Sequence, residues 1–300
     1  MSDYIAVVGG MNVDICGRPL HRPVLRDSNP GRVTVRPGGV ARNIAQDLRL
    51  LGMDVRLLSA VGDDAYGSLL LHACAKNGID ASLCLCVDDL GSSTYLYLTD
   101  EHGDMQLAVS DMAVTERITP AVIAERLDAL NAARAVVIDA NLPAETLRYL
   151  AAHVTAPLHA DPVSTGKAAR LLPILPFLRC LKPNALEAET LTGETEPEEA
   201  ARALLKMGVG RVFLSLGAQG MIAAEGDTLL NLPCAQARVI NTTGAGDAVT
   251  AALVWAGVQG LDLETSLCFA LKAGAVATEC VEANNPALAE LPESFLKQEE

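Results

Sequence analysis

The sequence predicts an α/β fold: a mostly parallel sheet covered on both faces by helices, with a small β lid beside it. Three observations carry this. From about residue 120 onward, short apolar runs alternate with helical patterns, as parallel strands joined by crossover helices require. The chain opens on Ile5-Ala6-Val7-Val8 and stops at Gly9-Gly10, apolar throughout, as a strand buried on both faces must be. Two stretches, 16–36 and 84–109, break the alternation. The first is rich in Arg, Pro, Asn and Gly, with Val33 and Val35 alternating with polar residues. The second reads as a hairpin, 94–99 and 105–109 about a turn at Asp100-Glu101-His102-Gly103. Paired with each other, they make one small sheet over the site.

The remaining elements follow in order. Gly38-Gly39 opens a helix whose apolar positions, Val40, Ile44, Leu48 and Leu51, recur at helical spacing until Gly52. A strand over 55–61 and a helix over 66–76 come next. After the lid hairpin the pattern gives a helix from about 120, a strand at 135–138, a helix at 144–153, a strand at 157–160, a helix, and a strand at 179–182. Helices at 187–192 and 197–206, a strand at 211–215, a hairpin over 221–232, and helices at 247–259 and 263–278 complete the chain. All 300 residues read as one domain, 1–300, with the lid as inserted segments.

Half the residues are hydrophobic, but only four Phe, five Tyr and one Trp are present, so Ala, Leu and Val build the core. The net charge of −14 argues against a nucleic-acid or anionic-membrane surface, either of which needs a basic face. A few local donors can still hold an anionic substrate. Met1-Ser2-Asp3-Tyr4 carries no basic n-region, and the apolar run 248–258 is too short for a membrane span. Eight dispersed cysteines without a C-x-x-C read as reduced thiols, and five scattered histidines show no zinc spacing. A cytoplasmic protein is expected.

Five short motifs carry chemistry. Asn241-Thr242-Thr243-Gly244-Ala245-Gly246-Asp247 runs directly into a helix. Small residues there let backbone N–H groups close on an anion, aided by the helix dipole. An acidic residue at that point would repel phosphate, unless Asp247 touches a hydroxyl that attacks phosphorus while the amides of 244–246 hold the transferring group. It also reads as a plain helix cap. Gly38-Gly39-Val40-Ala41-Arg42-Asn43 permits close backbone approach to a ligand, with Asn43 one turn in. Asn12 and Asp14 lie just past the first strand, where open α/β sheets bind ligands. They suit a polyol or an Asx turn. Asn184 and Glu187, after another strand, are spaced to share a helix face and to serve a phosphate contact and a magnesium-linked water. Ser215-Leu216-Gly217-Ala218-Gln219-Gly220 is a candidate nucleotide loop or a simple hairpin approach.

In this order and spacing the five motifs resemble the PfkB/ribokinase sugar-kinase family over essentially the whole chain. The resemblance implies a ribokinase-like three-layer α/β/α fold and ATP-dependent phosphorylation of a primary hydroxyl. It also implies a lid that forms a homodimer clasp. By matching position, Asp247 is the base and Gly244, Ala245 and Gly246 the anion hole. Asn12, Asp14, Gly38, Gly39, Asn43 and Asn141 hold the substrate. Asn184, Ser215, Gly217, Gly220, Gly244 and Gly246 hold ATP, and Glu187 serves Mg2+ through water. Asn241 stands where many members carry Asp in a position linked to a monovalent cation, so Asn241 and Thr243 are the candidate ligands for K+. The neutral amide weakens that assignment.

Within the family, Asp27-Ser28-Asn29-Pro30-Gly31, Asp161-Pro162-Val163-Ser164 and Asn284-Asn285-Pro286 are similar to the bacterial pseudouridine kinases. That likeness implies a ribosyl nucleoside phosphorylated at its 5′-hydroxyl. The lid offers Ser28, Asn29, Ser93 and Thr94, with the cation Lys167 nearby, to read its base, Asn29 first; they also read as ordinary lid-turn residues. Ribokinase, another nucleoside or sugar kinase, and a non-catalytic sugar- or nucleoside-binding regulator are the alternatives. A dehydrogenase is excluded, because no G-x-G-x-x-G follows the first strand. Asp247, at a helix N-terminus, is expected to be ionised at neutral pH.

Overall fold

The computed structural model describes residues 3–296. Its first element, β1 (Tyr4–Val8), is buried at every position and sits inside an eight-stranded sheet. The chain then leaves for β2 (Asn12–Pro19) and β3 (Gly31–Gly38), and returns through α1 (Val40–Leu50), β4 (Asp54–Leu58), β5 (Ala60–Gly62) and α2 (Ala65–Lys76). After β6 (Leu85–Val87), β7 (Thr94–Thr99) and β8 (Met105–Asp111) form the first hairpin. The α/β alternation follows: α3 (Pro120–Ala132), β9 (Ala135–Asp139), α4 (Ala144–His153), β10 (Leu158–Asp161), α5 (Thr165–Ala168), β11 (Leu178–Leu181), α6 (Ala185–Thr192), α7 (Pro197–Lys206) and β12 (Arg211–Ser215). The hairpin β13 (Met221–Glu225) and β14 (Thr228–Leu232), then α8 (Ala245–Gln259), α9 (Leu263–Thr278) and α10 (Leu291–Leu296), complete it.

The central sheet has the order β14-β13-β12-β11-β10-β9-β1-β4. From β4 to β12 every pairing is parallel, and β13 and β14 add an antiparallel edge. Alternation along β1 divides the core into two layers. Ile5 and Val7 pack toward Ile44, Leu48, Trp255 and Phe269 of α1, α8 and α9. Ala6 and Val8 pack toward Ile123, Leu147 and Leu204 of α3, α4 and α7. Each fully buried Leu, Ile or Phe contributes about 1.5–3 kcal/mol, so these two layers hold the strands rigidly. The carboxyl ends of β1, β9, β10, β11 and β12 therefore present their following residues on one edge.

Beside this edge lies a separate four-stranded sheet, β3-β2-β7-β8. Its bounds differ from the sequence expectation. Asn12 and Asp14 are part of β2, not of a loop after β1, because β2 pairs with β3 from Asn12↔Gly38 onward. Residues 84–93 lie outside the sheet, since β6 pairs instead with β5. The strand expected over 55–61 is split at Ser59, whose Oγ donates to the Gly9 carbonyl at 2.7 Å and whose own carbonyl accepts from the Leu85 amide. The short 3-10 turn Pro286–Glu290 and α10 were not anticipated. None of the eight cysteines forms a disulfide, and among the described residues no helix is long and apolar enough to cross a membrane.

Candidate active site

Gly244 caps α8 with φ +83°, and a Cβ there would lie 2.1 Å from the Ala283 carbonyl oxygen. Only glycine lets the chain turn so tightly against that loop. The first helical bond runs from the Ala248 amide to the Gly244 carbonyl at 2.9 Å. The amides of Gly246 and Asp247 thus precede the helical ladder and, with the dipole, make the start of α8 a candidate anion site.

Asp247, half-buried in the first turn of α8, accepts from Asn43 Nδ2 at 2.7 Å. Burial, and next the charge of Asp161, push its carboxyl up to about 7, against the pull of Asn43, Lys182 and Arg42. The expectation of an Asp247 fully ionised at neutral pH is corrected: the helix end does not offset desolvation and a neighbouring carboxylate. Below Asp247, Lys182 and Asp161 form a buried ion pair at 3.1 Å. Burial pulls Lys182 down, but Asp161, Glu187 and Asp247 outweigh it and hold the ammonium above its ordinary range. A Cβ on Gly246 would lie 3.2 Å from Lys182 Nζ, which places this cation beside the anion-binding turn. Asp161 also accepts from Thr250 Oγ1 at 2.9 Å and from the Val163 amide at 2.8 Å, holding the β-branched Val163 at φ +67°.

The polyol candidates gather on the other side of Asp247. Asn12 Nδ2 donates to Asp14 Oδ1 at 2.7 Å. A Cβ at Gly38 would meet the Asp14 carboxylate at 2.2 Å and displace it; at Gly39, φ +98°, it would meet the Gly10 carbonyl at 2.6 Å. Asn141 donates to Asp139 Oδ2 at 3.0 Å and accepts from Lys167 Nζ at 2.6 Å. Asp139 itself, held by the Gly10 amide at 2.9 Å, is pushed by burial up to about 6. Asn29 is not brought to this group. It lies in the exposed 24–29 turn, its carboxamide bonded to the Val24 amide and carbonyl and to the Asp27 carbonyl.

On the nucleotide side, Asn184 caps α6 instead of sitting on its face. Its side chain accepts from the Glu187 amide at 2.9 Å, and Glu187 Oε2 accepts from the Asn184 amide at 2.9 Å. This capping box satisfies two amides reciprocally and commits one Glu187 oxygen. Ser215 bridges to Asn184 at the sheet edge. Gly217 at φ +59° and Gly220 at φ +108° shape the following turn, where a Cβ on Gly220 would meet the Leu232 carbonyl at 2.0 Å. Asn241 and Thr243 bond to one another: Asn241 Oδ1 accepts from the Thr243 amide at 3.0 Å, while Asn241 Nδ2 donates to the Val281 carbonyl at 2.9 Å. Among the described residues no cluster of three His, Cys, Asp or Glu side chains forms a metal cage.

Sequence reasoning missed the inner face of the small sheet. Asp14 pairs with Tyr95 and Cys16 with Tyr97, so both tyrosines share a face with Asp14, their ring centroids 5.7 Å apart. The period-two spacing of Tyr95 and Tyr97 was the available signal. Arg42, Asp161 and Asn284 entered the motifs without a role of their own, Asp47 did not enter at all, and no local pattern reveals how these residues pair with one another or with Lys182.

A three-layer α/β/α scaffold with a candidate anion site at a helix start, a carboxylate beside it and a nearby group of polar side chains fits a phosphotransferase of the ribokinase-like class. The profile of the pfkB family carbohydrate kinases matches residues 2–290, and the chain belongs to this family. It is 37% identical over 296 residues to a pseudouridine kinase of Escherichia coli, covering 95% of this chain and 94% of that protein. It is 28% identical to a Bacillus subtilis ribokinase, covering 91% of this chain and 92% of that protein. Among solved structures, a Thermotoga maritima ribokinase superposes with a TM-score of 0.87 at 25% identity, over 98% of this chain and 99% of that one. The chain is thus a sugar or nucleoside kinase.

Proposed function

We propose that the protein transfers the γ-phosphoryl group of magnesium ATP to the 5′-hydroxyl of a ribosyl nucleoside, pseudouridine foremost. The observation that carries the nucleoside is the row beyond Asp14. If Asn12 and Asp14 hold the ribose hydroxyls, Cys16 and Tyr97 stand two residues further along their strands, about 6.6 Å away. Ribose alone leaves that surface unused, whereas a planar base attached to the sugar covers it. The identity to the Escherichia coli pseudouridine kinase points the same way.

The residues fit a nucleotide triphosphate: the Gly244 cradle admits no side chain, and Lys182 lies beside the exposed amides. When bound, magnesium ATP supplies the phosphoryl group and neutralises part of its charge. Asn184, Ser215, Gly217 and Gly220 line the nucleotide side, and the free oxygen of Glu187 is available to a magnesium-bound water. Asp247 accepts the hydroxyl proton as the new O–P bond forms, and the amides of Gly246 and Asp247 hold the transferring oxygens, that of Ala245 being engaged by the Thr242 carbonyl at 3.3 Å. The small sheet acts as a lid that excludes water during transfer.

The lid also suits a homodimer. Val33, Val35, Leu96, Leu98, Leu107 and Val109 are 39 to 72% exposed and lie in register across its outer face. A contiguous apolar face of this kind marks an interaction surface, and a second lid matches it.

The test is a substrate panel with ATP, comparing pseudouridine, uridine, ribose and fructose 6-phosphate by kcat/KM. Pseudouridine is expected to lead. Preference for ribose overturns the nucleoside reading, and preference for uridine overturns only the choice of base. No turnover of any acceptor favours a binding regulator.

A further inference from the structure

A buried chain of hydrogen bonds behind Asp247 is not explained by substrate or nucleotide contacts. Asp47, on α1, is fully buried, and its Oδ1 accepts from Asn284 Nδ2 at 2.8 Å. The same nitrogen donates to the Asn43 carbonyl at 3.0 Å. Asn284 Oδ1 is thereby turned to Arg42 Nη2, 3.2 Å away. Arg42 is itself buried, its Nε donating to the Gly38 carbonyl at 3.0 Å and its Nη1 to Gln46 Oε1 at 2.6 Å. Arg42 Nη2 also donates to Asn43 Oδ1.

Each link fixes the direction of the next. A carboxylate accepts and a guanidinium only donates, so an amide between such groups has one favourable orientation. With Arg42 on its oxygen, Asn43 must turn Nδ2 toward Asp247. We infer that Arg42, Asp47 and Asn284 are positioning residues, a directional strut that keeps the Asn43 amide donating to Asp247. This inference rests on Asp247 being the base.

Without the strut the Asn43 amide is free to rotate and present its oxygen to Asp247, which favours the protonated carboxyl. The groups facing Asp247 are Asp161 from β10, Lys182 after β11, and Arg42, Asn43 and Asp47 from α1. Removing Asn284 takes away no charged group, but it takes from Asp47 a hydrogen bond that favours its ionised form. A more protonated Asp47 would lower the Asp247 midpoint, so a rise in that midpoint reports orientation, not lost charge.

The experiment is the pH profile of kcat/KM for the preferred acceptor in wild type, Asn284→Ala, Asp47→Asn and Arg42→Lys. In Asn284→Ala the acid-limb midpoint should rise by about one pH unit, a loss of about tenfold below it. The alkaline plateau should stay within about threefold and KM for ATP should be unchanged. Asp47→Asn keeps an acceptor oxygen for Asn284 and removes a neighbouring carboxyl, so its midpoint should not rise. Should Asn284→Ala fail to fold, Arg42→Lys keeps the cation but loses the fork and should raise the midpoint likewise. A uniform loss at every pH with an unmoved midpoint overturns the strut while leaving Asp247 as base. A wild-type profile with no acid limb, together with an active Asp247→Asn, overturns the base itself.

Discussion

Asn43 Nδ2 and Asp247 Oδ2 are 2.7 Å apart, although 204 residues separate them in the chain. The bond ties the first turn of α1, which follows β3 of the small sheet, to the first turn of α8. With Asp247 as the proposed base, this one hydrogen bond would join the substrate side of the site to the phosphoryl side.

Replacing Asp247 by Asn should lower kcat by at least about 10²-fold, the scale for a lost general base, with ATP affinity little changed. Isothermal titration with a non-hydrolysable ATP analogue separates the two effects. Near-native turnover in Asp247→Asn would reduce the residue to a helix cap.

The acidity of Asp247 sets the pH dependence. With its carboxyl near 7, the proton-accepting form is lost in acid. Below that value kcat/KM should fall about tenfold per pH unit, and above it the rate should level off. The stability sign is opposite to that of a salt-bridged Asp. The folded state keeps a proton that the unfolded chain, at the ordinary 3.8, has already released. This group therefore contributes less stability as pH rises from about 4 to 7. Thermal melts of wild type and Asp247→Asn across that window should converge toward acid and separate toward neutrality. A kcat/KM that is flat from pH 5 to 8 contradicts the assignment.

Much of this was legible in the chain because local chemistry imposed it. Gly38, Gly39 and Gly244 stand where a Cβ has no room, and strand-to-helix alternation fixed the parallel sheet. What escaped was set by pairing across distance. Asn184 and Glu187 were expected to share a helix face, but the same spacing also makes a capping box, and folding used it so. The hydrogen-bonding power that made Asn29 attractive is spent closing its own turn. Tyr95 and Tyr97 acquired meaning only when β7 paired with β2 and put them beside Asp14.

If the base rests on the inner lid face, Tyr97→Ala should raise KM for the nucleoside about 3- to 10-fold, the scale of one aromatic stacking contact. Turnover of ribose should change little. Parallel kinetics on both acceptors check this, and an equal loss on both would place Tyr97 in lid packing only.

A charge on the outer lid face should separate a homodimer. Leu98 and Leu107 pair directly across β7 and β8 and are 45% and 59% exposed. Leu98→Arg with Leu107→Arg should convert a dimer to a monomer in light scattering coupled to gel filtration, without lowering the melting temperature of the central domain. A wild-type monomer at assay concentration removes the dimer from the proposal.

The last prediction concerns potassium. Both ends of the Asn241 carboxamide are engaged, the nitrogen on the Val281 carbonyl at 2.9 Å and the oxygen on the Thr243 amide at 3.0 Å. The turn that leads into the anion-binding end is therefore tied to the 281 loop by a hydrogen bond of the protein itself. A carboxylate in this place has no hydrogen to offer, so its oxygen and the Val281 carbonyl would face each other as two acceptors, an arrangement that calls for a cation between them. Wild-type kcat/KM should thus differ by less than about twofold between potassium and tetramethylammonium chloride at equal ionic strength, well under 1 kcal/mol of barrier. Asn241→Asp should lose activity in tetramethylammonium and regain it on titration with potassium. Strong potassium activation of the wild-type enzyme would show that the amide bridge opens to admit the ion, and this reading of Asn241 would fall.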